Sequence, residues 1–245
     1  MIDLSFVWRG FKTRHRSQVQ ELQAIQLALR CGGVAIDVGA NKGSYLYSMA
    51  RWAAAAPVIA FEPQKKLADY LTSACRRSNF SNVTIENLAL SDTEGELQIY
   101  IPGSSDSPGA SLEASIADKT ECHVETVRVT KLDTYINGRL HQPVRVIKID
   151  VEGHELAVIR GAMQTLERDK PLLIIECESR HLPMDQSVKN FVEDVQAIGY
   201  SATLARPGLT ELPASLFREE LHQPQLGDRF WDAKNYYNNF IFRPL

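Results

Sequence analysis

The sequence has few cysteines and no pattern among them. Cys31, Cys75, Cys122 and Cys177 are the four in 245 residues, and no two form a Cys-x-x-Cys pair. That leaves no sign of a disulfide framework and fits thiols kept reduced in a cytosolic protein. No apolar run approaches the roughly 18 residues that a membrane-spanning helix needs. The apolar stretch before Trp8-Arg9 is too short for a secretion signal, so a cytoplasmic location is expected. Asn82-Val83-Thr84 matches a glycosylation sequon but opens an apolar run, and it is discounted. An excess of one charge is also missing. The 27 Lys and Arg against 30 Asp and Glu leave a net charge of −3, which gives no electrostatic footprint for nucleic acid. Arg14-His15-Arg16 and Arg76-Arg77 read as solvated faces. There is no internal repeat and no long low-complexity tract.

What the chain does have is an alternation of strand and helix patterns. Its length suits one α/β domain over residues 1–245, with a sizeable core. Ser17 and Gln20 fit a capping box for a helix carrying Val19, Leu22, Ile25 and Leu29, so residues 1–32 are expected to be a helical segment. Short apolar runs at 34–38, 58–61, 83–85, 146–151 and 172–175 read as strands. Between them, Leu67, Leu71 and Ala74 mark one helix, and Leu156, Ile159, Met163 and Leu166 another. A helix with Val188, Phe191, Val195 and Ile198 closes at Gly199 as a C′ residue, and 200–204 and 240–242 are two further strands. Such alternation implies a mainly parallel sheet. Residues 92–143 break the rhythm. Glu96–Ile101 and Glu125–Val129 alternate like half-exposed strands, and Pro102–Ala110 between them is rich in Ser, Gly and Pro. This region is read as an inserted hairpin over the ligand edge.

Residues 34–44, Val-Ala-Ile-Asp-Val-Gly-Ala-Asn-Lys-Gly-Ser, carry the first chemical signal. An apolar strand ends in Asp37 and turns through Gly39, Asn41 and Gly43. Tyr45, Leu46, Met49, Ala50 and Ala53 then keep a helical stripe. A nucleotide-like ligand sits against bare backbone at such a strand-to-helix turn. The negative charge of Asp37 disfavours a pyrophosphate and suits a cofactor with an amino group or a positive centre. The bland alternative is an Asp that caps its own turn. Glu62 ends the second apolar run 25 positions later, followed by Pro63. An acidic residue roughly 20 positions past the turn binds ribose hydroxyls in Rossmann-type units, and a carboxylate accepts the two hydrogen bonds of a diol. The alternative is a solvated Glu at a strand end.

The strand at 146–151 holds the second signal. Lys148, Asp150 and Glu152 lie two apart, so they share a face if the strand runs that far. A central parallel strand normally reads as a continuous apolar run. Charges there cost free energy unless they are paired or lie at the strand end, which in an open α/β sheet is where ligands bind. The alternative is a local Lys148–Asp150 ion pair with Glu152 as a helix N-terminal acid.

Together these segments resemble one family. Ile36-Asp37-Val38-Gly39-Ala40-Asn41-x-Gly43, Phe61-Glu62-Pro63, Asn87-Leu-Ala89-Leu-Ser91-Asp92, Lys148-Ile-Asp150-Val-Glu152-Gly-His-Glu155 and Gly161-Ala162 are similar to the FkbM methyltransferases over about residues 33–178. The Lys-x-Asp-x-Glu-Gly block is the most diagnostic. The resemblance implies a Rossmann-like class I methyltransferase fold, a mainly parallel seven-stranded sheet with helices on both faces. It also implies S-adenosyl-L-methionine as cofactor and O-methylation of a hydroxyl on a sugar, glycan, glycolipid or polyketide-type natural product. In it, Asp37, Gly39, Ala40, Asn41, Gly43 and Ser44 belong to the methionine side, Glu62 to the ribose, Asn87 to Ala89 to the adenine, and Asp150 to the methyl donor. Residues 1–32 and 179–245 fit loosely, and acceptor specificity is expected there.

A sugar hydroxyl is about as weak an acid as water, near 16. A histidine near 6.5 is mismatched by roughly nine units, about 12 kcal/mol if the proton left first. A base must therefore act as the new bond forms, or a metal must acidify the hydroxyl. Glu152, Asp150 and His154 are the candidate bases, with Lys148 in the same catalytic group. Asp150 and Glu176 are the candidate ligands for Mg²⁺, although metal independence is favoured because Lys148 shares their strand face. The acceptor is expected to be a small molecule or glycan, with no nucleic acid and no membrane span, and nothing points to an oligomeric state. Two rival readings are an NAD-dependent oxidoreductase and a catalytically silent methyltransferase-like subunit.

Overall fold

Apolar runs that alternate between two buried faces build the centre of the molecule. In the computed structural model, which describes residues 3–103, 109–113, 121–182, 186–206, 208–226, 230 and 233–245, strand β1 (Val34–Val38) is buried at every position. Val34, Ile36 and Val38 face one apolar layer, while Ala35 faces the other. Period-two alternation with both sides apolar is what a strand covered by helices on both faces requires. Its parallel neighbours are β2 (Val58–Phe61) and β7 (Val144–Ile149). Outside them lie β3 (Val83–Glu86) and β8 (Leu172–Glu176), also parallel. β11 (Asn239–Pro244) inserts antiparallel between β8 and β9 (Tyr200–Leu204). With β10 (Leu212–Pro213) at one edge, the order is β10-β9-β11-β8-β7-β1-β2-β3. The seven expected strands are joined by β10, a two-residue edge strand.

Helices α1 (Leu4–Lys12), α2 (Val19–Ala28), α3 (Leu46–Trp52) and α4 (Lys65–Arg77) supply the layer around Ala35. Helices α5 (Leu132–Ile136), α6 (Glu155–Arg160), α7 (Met163–Asp169) and α8 (Val188–Ala197) supply the other, and α9 (Glu219–His222) lies on the outer surface. Two local expectations come out differently. The residue capping α2 is Gln18, whose side chain does not make the capping bond. Gln20 instead spans to the C-terminal part, accepting from the Arg206 amide at 2.5 Å and donating to the Leu209 carbonyl at 2.7 Å; the Ser17 side chain lies outside the described residues. The expected helix over Leu156–Leu166 is two helices, α6 and α7. Asp133 of α5 divides them: its carboxylate accepts from the amides of Gln164 and Thr165, each at 2.9 Å, so α7 gets its own cap.

Three strands between residues 89 and 130 form a second, smaller sheet among the described residues. β5 (Gly95–Pro102) pairs antiparallel with β6 (Cys122–Thr130), and β4 (Ala89–Leu90) pairs parallel with β6. Of the Pro102–Ala110 loop, residues 104–108 lie outside the described residues. Among the described residues no helix is long and apolar enough to cross a membrane.

One buried charge gives a stability test. Glu21 in α2 is 1% exposed, its Oε2 has no partner among the described residues, and burial pushes its carboxyl up to about 7 from 4.5. The folded state therefore holds this proton to higher pH than the unfolded chain. Its contribution to stability falls as pH rises from about 4.5 to about 7 and stays lower above. Glu21→Gln should raise the melting temperature at about pH 8, by up to roughly 3 kcal/mol of stability, and change little near pH 4.5. Thermal melts at both pH values check this; an equal gain at both would assign the effect to packing instead.

Candidate active site

The carboxyl ends of β1, β2 and β7 open into one cleft, and the small sheet forms its far wall. Val38, Gly39 and Asn41 line it from the β1 turn, Phe61 to Gln64 from the end of β2, and Asp150 to Glu152 from the end of β7. Ala89, Leu90, Ile99, Ala110 and Leu112 close it from the smaller sheet and its loop.

The β1 turn is shaped by contacts that leave no room for a side chain. Gly39 has φ +74, and a Cβ there would lie 1.8 Å from the carbonyl oxygen of Asp150. Gly43 has φ +79, and its Cβ would lie 2.4 Å from the Phe6 ring. Both positions exclude other residues by conformation and by space. Asn41 also takes a left-handed conformation, φ 48, which Asn tolerates better than most residues. The amides of Gly39 and Ala40 donate to the Phe61 carbonyl, tying the turn to β2.

Glu62 completes that tie. It is 2% exposed; Oε2 accepts from the Asn41 amide at 2.7 Å and Oε1 from the Gln64 amide at 2.9 Å. Burial pushes its carboxyl up to about 7 against these bonds. Each oxygen keeps a lone pair for a ligand. Asn87 does not line the cleft. Its carboxamide donates to the carbonyls of Glu62 at 3.0 Å and Pro63 at 2.8 Å, so it braces the β2 end. Ala40, Gly43 and Ser44 shape the turn without lining the cleft.

Asp37 and Lys148 are register partners across β1 and β7. The Lys148 ammonium is 4% exposed and lies 3.0 Å from Asp150 Oδ2, 3.7 Å from Asp37 Oδ1 and 3.3 Å from the Gly39 carbonyl. It also sits 5.2 Å from the centre of the Tyr45 ring. Burial works against its charge, but Asp150 and Asp37 outweigh it and raise its pKa to about 12. Asp37 is 1% exposed, and neither of its oxygens has a hydrogen-bond partner among the described residues. Burial raises its pKa. The Lys148–Asp150 ion pair is therefore real, and Asp150 still lines the cleft.

Strand β7 ends at Ile149, so strand alternation does not place Glu152 beside Lys148 and Asp150. The chain turns, and Glu152 has φ 54. Its carbonyl accepts from the Ser111 hydroxyl at 2.5 Å, and its Oε2 lies 2.9 Å from His181 Nδ1. Burial raises the Glu152 carboxyl. Glu176, at the end of β8, is raised well above the usual range by burial and by Asp150, Glu152 and Glu178. Asn238 bridges two carboxylates, donating to Glu176 at 2.6 Å and Glu178 at 2.7 Å. Glu178 also accepts from Arg180 and from the Tyr236 hydroxyl.

His154 does not reach the cleft. Its Nδ1 pairs with Glu113 at 2.7 Å and its Nε2 with the Ser91 hydroxyl at 2.9 Å, so both ring nitrogens are engaged outside it. Among the described residues no three His, Cys, Asp or Glu side chains form a metal-holding group. The cation beside Asp150 is Lys148. Gln64 lines the cleft, and His181 and Asn238 contact its acidic wall; the sequence assigned none of the three a role. His181 carried one signal, its place just past the β8 end; Asn238, 62 residues from Glu176, carried none.

The sequence signature described as the Methyltransferase FkbM domain matches residues 37–202. No curated protein matches the chain in sequence. Among solved structures, the Methyltransferase FkbM from Methylobacillus flagellatus KT superposes with a TM-score of 0.51 at 18% identity, covering 86% of this chain and 43% of that one. The chain thus spans less than half of that protein. A Streptococcus mutans protein solved in complex with SAH gives 0.53 at 15% identity, over 94% of this chain and 98% of that one. The O-methyltransferase from Bacillus cereus, also in complex with SAH, gives 0.50 at 14% identity, over 100% and 92%. The architecture is that of the class I S-adenosylmethionine-dependent methyltransferases, and the chain belongs to the FkbM methyltransferase family.

Proposed function

We propose that this methyltransferase transfers the methyl group of S-adenosyl-L-methionine to a hydroxyl of a sugar, glycan or polyketide-type natural product. The observation that carries the reading is the wall beyond the β7 end. Glu152 lines the cleft there beside Asp150, with Glu176 and Glu178 behind. These groups accept hydrogen bonds, which suits a donor-rich polyhydroxyl acceptor.

The residues present fit the cofactor. Asp37 is a fully buried carboxylate whose oxygens lack hydrogen bonds and whose charge is balanced by Lys148 at 3.7 Å, so it keeps acceptor capacity for an amino group of the ligand. Glu62 would take the ribose diol on its remaining lone pairs, Gly39 and Asn41 would give backbone contact, and Ala89 and Leu90 an apolar face for the adenine. When bound, the cofactor supplies an electrophilic methyl group on a sulfonium. The protein then has to orient the acceptor oxygen, exclude water and receive the hydroxyl proton as the new bond forms, since positioning dominates an in-line displacement. An NAD-dependent reading fares worse, because a buried acidic cluster at the sheet edge disfavours a pyrophosphate.

Asp37→Ala should weaken S-adenosylmethionine binding by roughly 1.5–3 kcal/mol, the worth of a charged hydrogen bond, measured by calorimetry. Glu62→Gln should weaken it less than Glu62→Ala, because a carboxamide oxygen keeps one backbone contact. Unchanged affinity in Asp37→Ala and Glu62→Ala, both folded, would remove the cofactor assignment.

A chelator should leave turnover of labelled cofactor on a panel of glycosides unchanged, since Lys148 already neutralises Asp150. Loss of turnover that added Mg²⁺ restores would instead make Asp150 and Glu176 metal ligands. Absence of turnover on every hydroxyl acceptor, with cofactor binding intact, would favour the silent-subunit reading.

A further inference from the structure

The Glu152–His181 contact is the arrangement the family signature does not explain. His181 lies in the single turn after β8, and its Nδ1 is 2.9 Å from Glu152 Oε2, with the two side chains 10% and 14% exposed. Its backbone is fixed as well. The His181 amide donates to the Glu178 carbonyl at 3.0 Å, and its carbonyl would lie 2.9 Å from a Cβ on Gly153. Glu152 holds the left-handed conformation that aims it there, a backbone state that carries strain in a non-glycine residue and clusters at functional sites. The Ser111 hydroxyl, bonded to the Glu152 carbonyl, keeps that turn in place. His181 stands behind Glu152, which lines the cleft, and its Nε2 has no hydrogen-bond partner among the described residues. His154, by contrast, has both nitrogens engaged. A histidine that donates Nδ1–H to a carboxylate is held in the tautomer whose Nε2 accepts a proton.

We propose that His181 is the general base for the acceptor hydroxyl and that Glu152 is the positioning residue that fixes its tautomer; this rests on the hydroxyl-methylation reading above. As the acceptor oxygen bonds the methyl carbon, its O–H bond breaks and the proton passes to Nε2. The carbon–sulfur bond breaks with its electron pair left on sulfur, so the products are the methyl ether, the neutral thioether and imidazolium. The imidazolium charge is balanced by the Glu152 carboxylate, and solvent removes the proton before the next turnover.

Two measurements test this separately. Long-range nitrogen–proton NMR of histidine-labelled protein, saturated with S-adenosylhomocysteine at mildly alkaline pH, reads the tautomer without any acceptor. The expected result is a neutral His181 with its proton on Nδ1, and loss of that single tautomer in Glu152→Ala. A proton on Nε2, or a permanent imidazolium, would overturn the proposal even if methylation is established. The second measurement is turnover on the glycoside panel. His181→Ala and His181→Asn should lose roughly 10²–10⁴-fold in kcat, the range of general-base catalysis, with cofactor affinity and melting temperature unchanged. Imidazole added to the solution should restore part of the turnover of His181→Ala. Near-normal kcat in both variants, or loss without imidazole rescue in variants that melt normally, would also overturn it. If wild type methylates no hydroxyl, the hydroxyl reading fails on its own, and the tautomer result still decides whether Nε2 is poised to accept a proton.

Discussion

The Lys148 ammonium is the constraint around which the site is arranged. It is buried at the seam of β1 and β7, with Asp37 across the seam and Asp150 at the end of its own strand. Two carboxylates at this depth would repel each other and bear a large desolvation cost; one ammonium between them makes the arrangement tolerable. The same ammonium reaches the Gly39 carbonyl, so the glycine turn and the acidic strand end are positioned by a single charge. Tyr45, the first residue after the turn, puts its ring against that charge, a favourable use of an aromatic face. Removing Lys148 would leave an uncompensated acidic pair, which is why its place in an otherwise apolar strand is stable.

Beyond that seam, proton affinity is graded along the cleft. Glu62 is held near 7 by burial, although two backbone amides support its charge. Glu178 is the exception among its neighbours: despite burial, Arg180 draws its carboxyl below the usual value, while Glu176 beside it is pushed up. Asn238 donates to both. One carboxylate of the pair is thus disposed to stay charged and the other to keep a proton, the pattern in which neighbouring acids divide their roles.

Much of this was legible in the sequence because strands buried on both faces write themselves as apolar runs, and β1, β2, β3, β7, β8, β9 and β11 all lie where those runs stand. Charges inside such runs announced the site: Asp37 and Lys148 are conspicuous where only apolar residues are expected. The misreadings share a cause. Strand periodicity gives Glu152 a face only if the strand runs that far, and it ends at Ile149. Asn87 and Gln20 looked available for ligand or cap, but distant backbone groups claim their amides. The α6–α7 break depends on Asp133, 30 residues upstream. His154 faces Ser91 and Glu113 because residue 153 turns the chain, and no spacing rule encodes that. Pairings over long sequence separation, such as Asn238 with Glu176, are invisible until the sheet order brings β11 beside β8.

The Ser111 hydroxyl bond to the Glu152 carbonyl joins the two sheets at the mouth of the cleft. Ser111 is also bound to Tyr100 of β5 through both its amide and its carbonyl. Displacement of the smaller sheet is therefore transmitted, through one serine, to the backbone that aims Glu152. The His154 bonds to Ser91 and Glu113 tie the same two parts together, so the spacing of the sheets and the turn that aims the Glu152 carboxylate share a small set of contacts. A ligand that fills the cleft without shifting the small sheet leaves the proton-handling wall in register, and one that forces the sheets apart pulls that wall out of alignment.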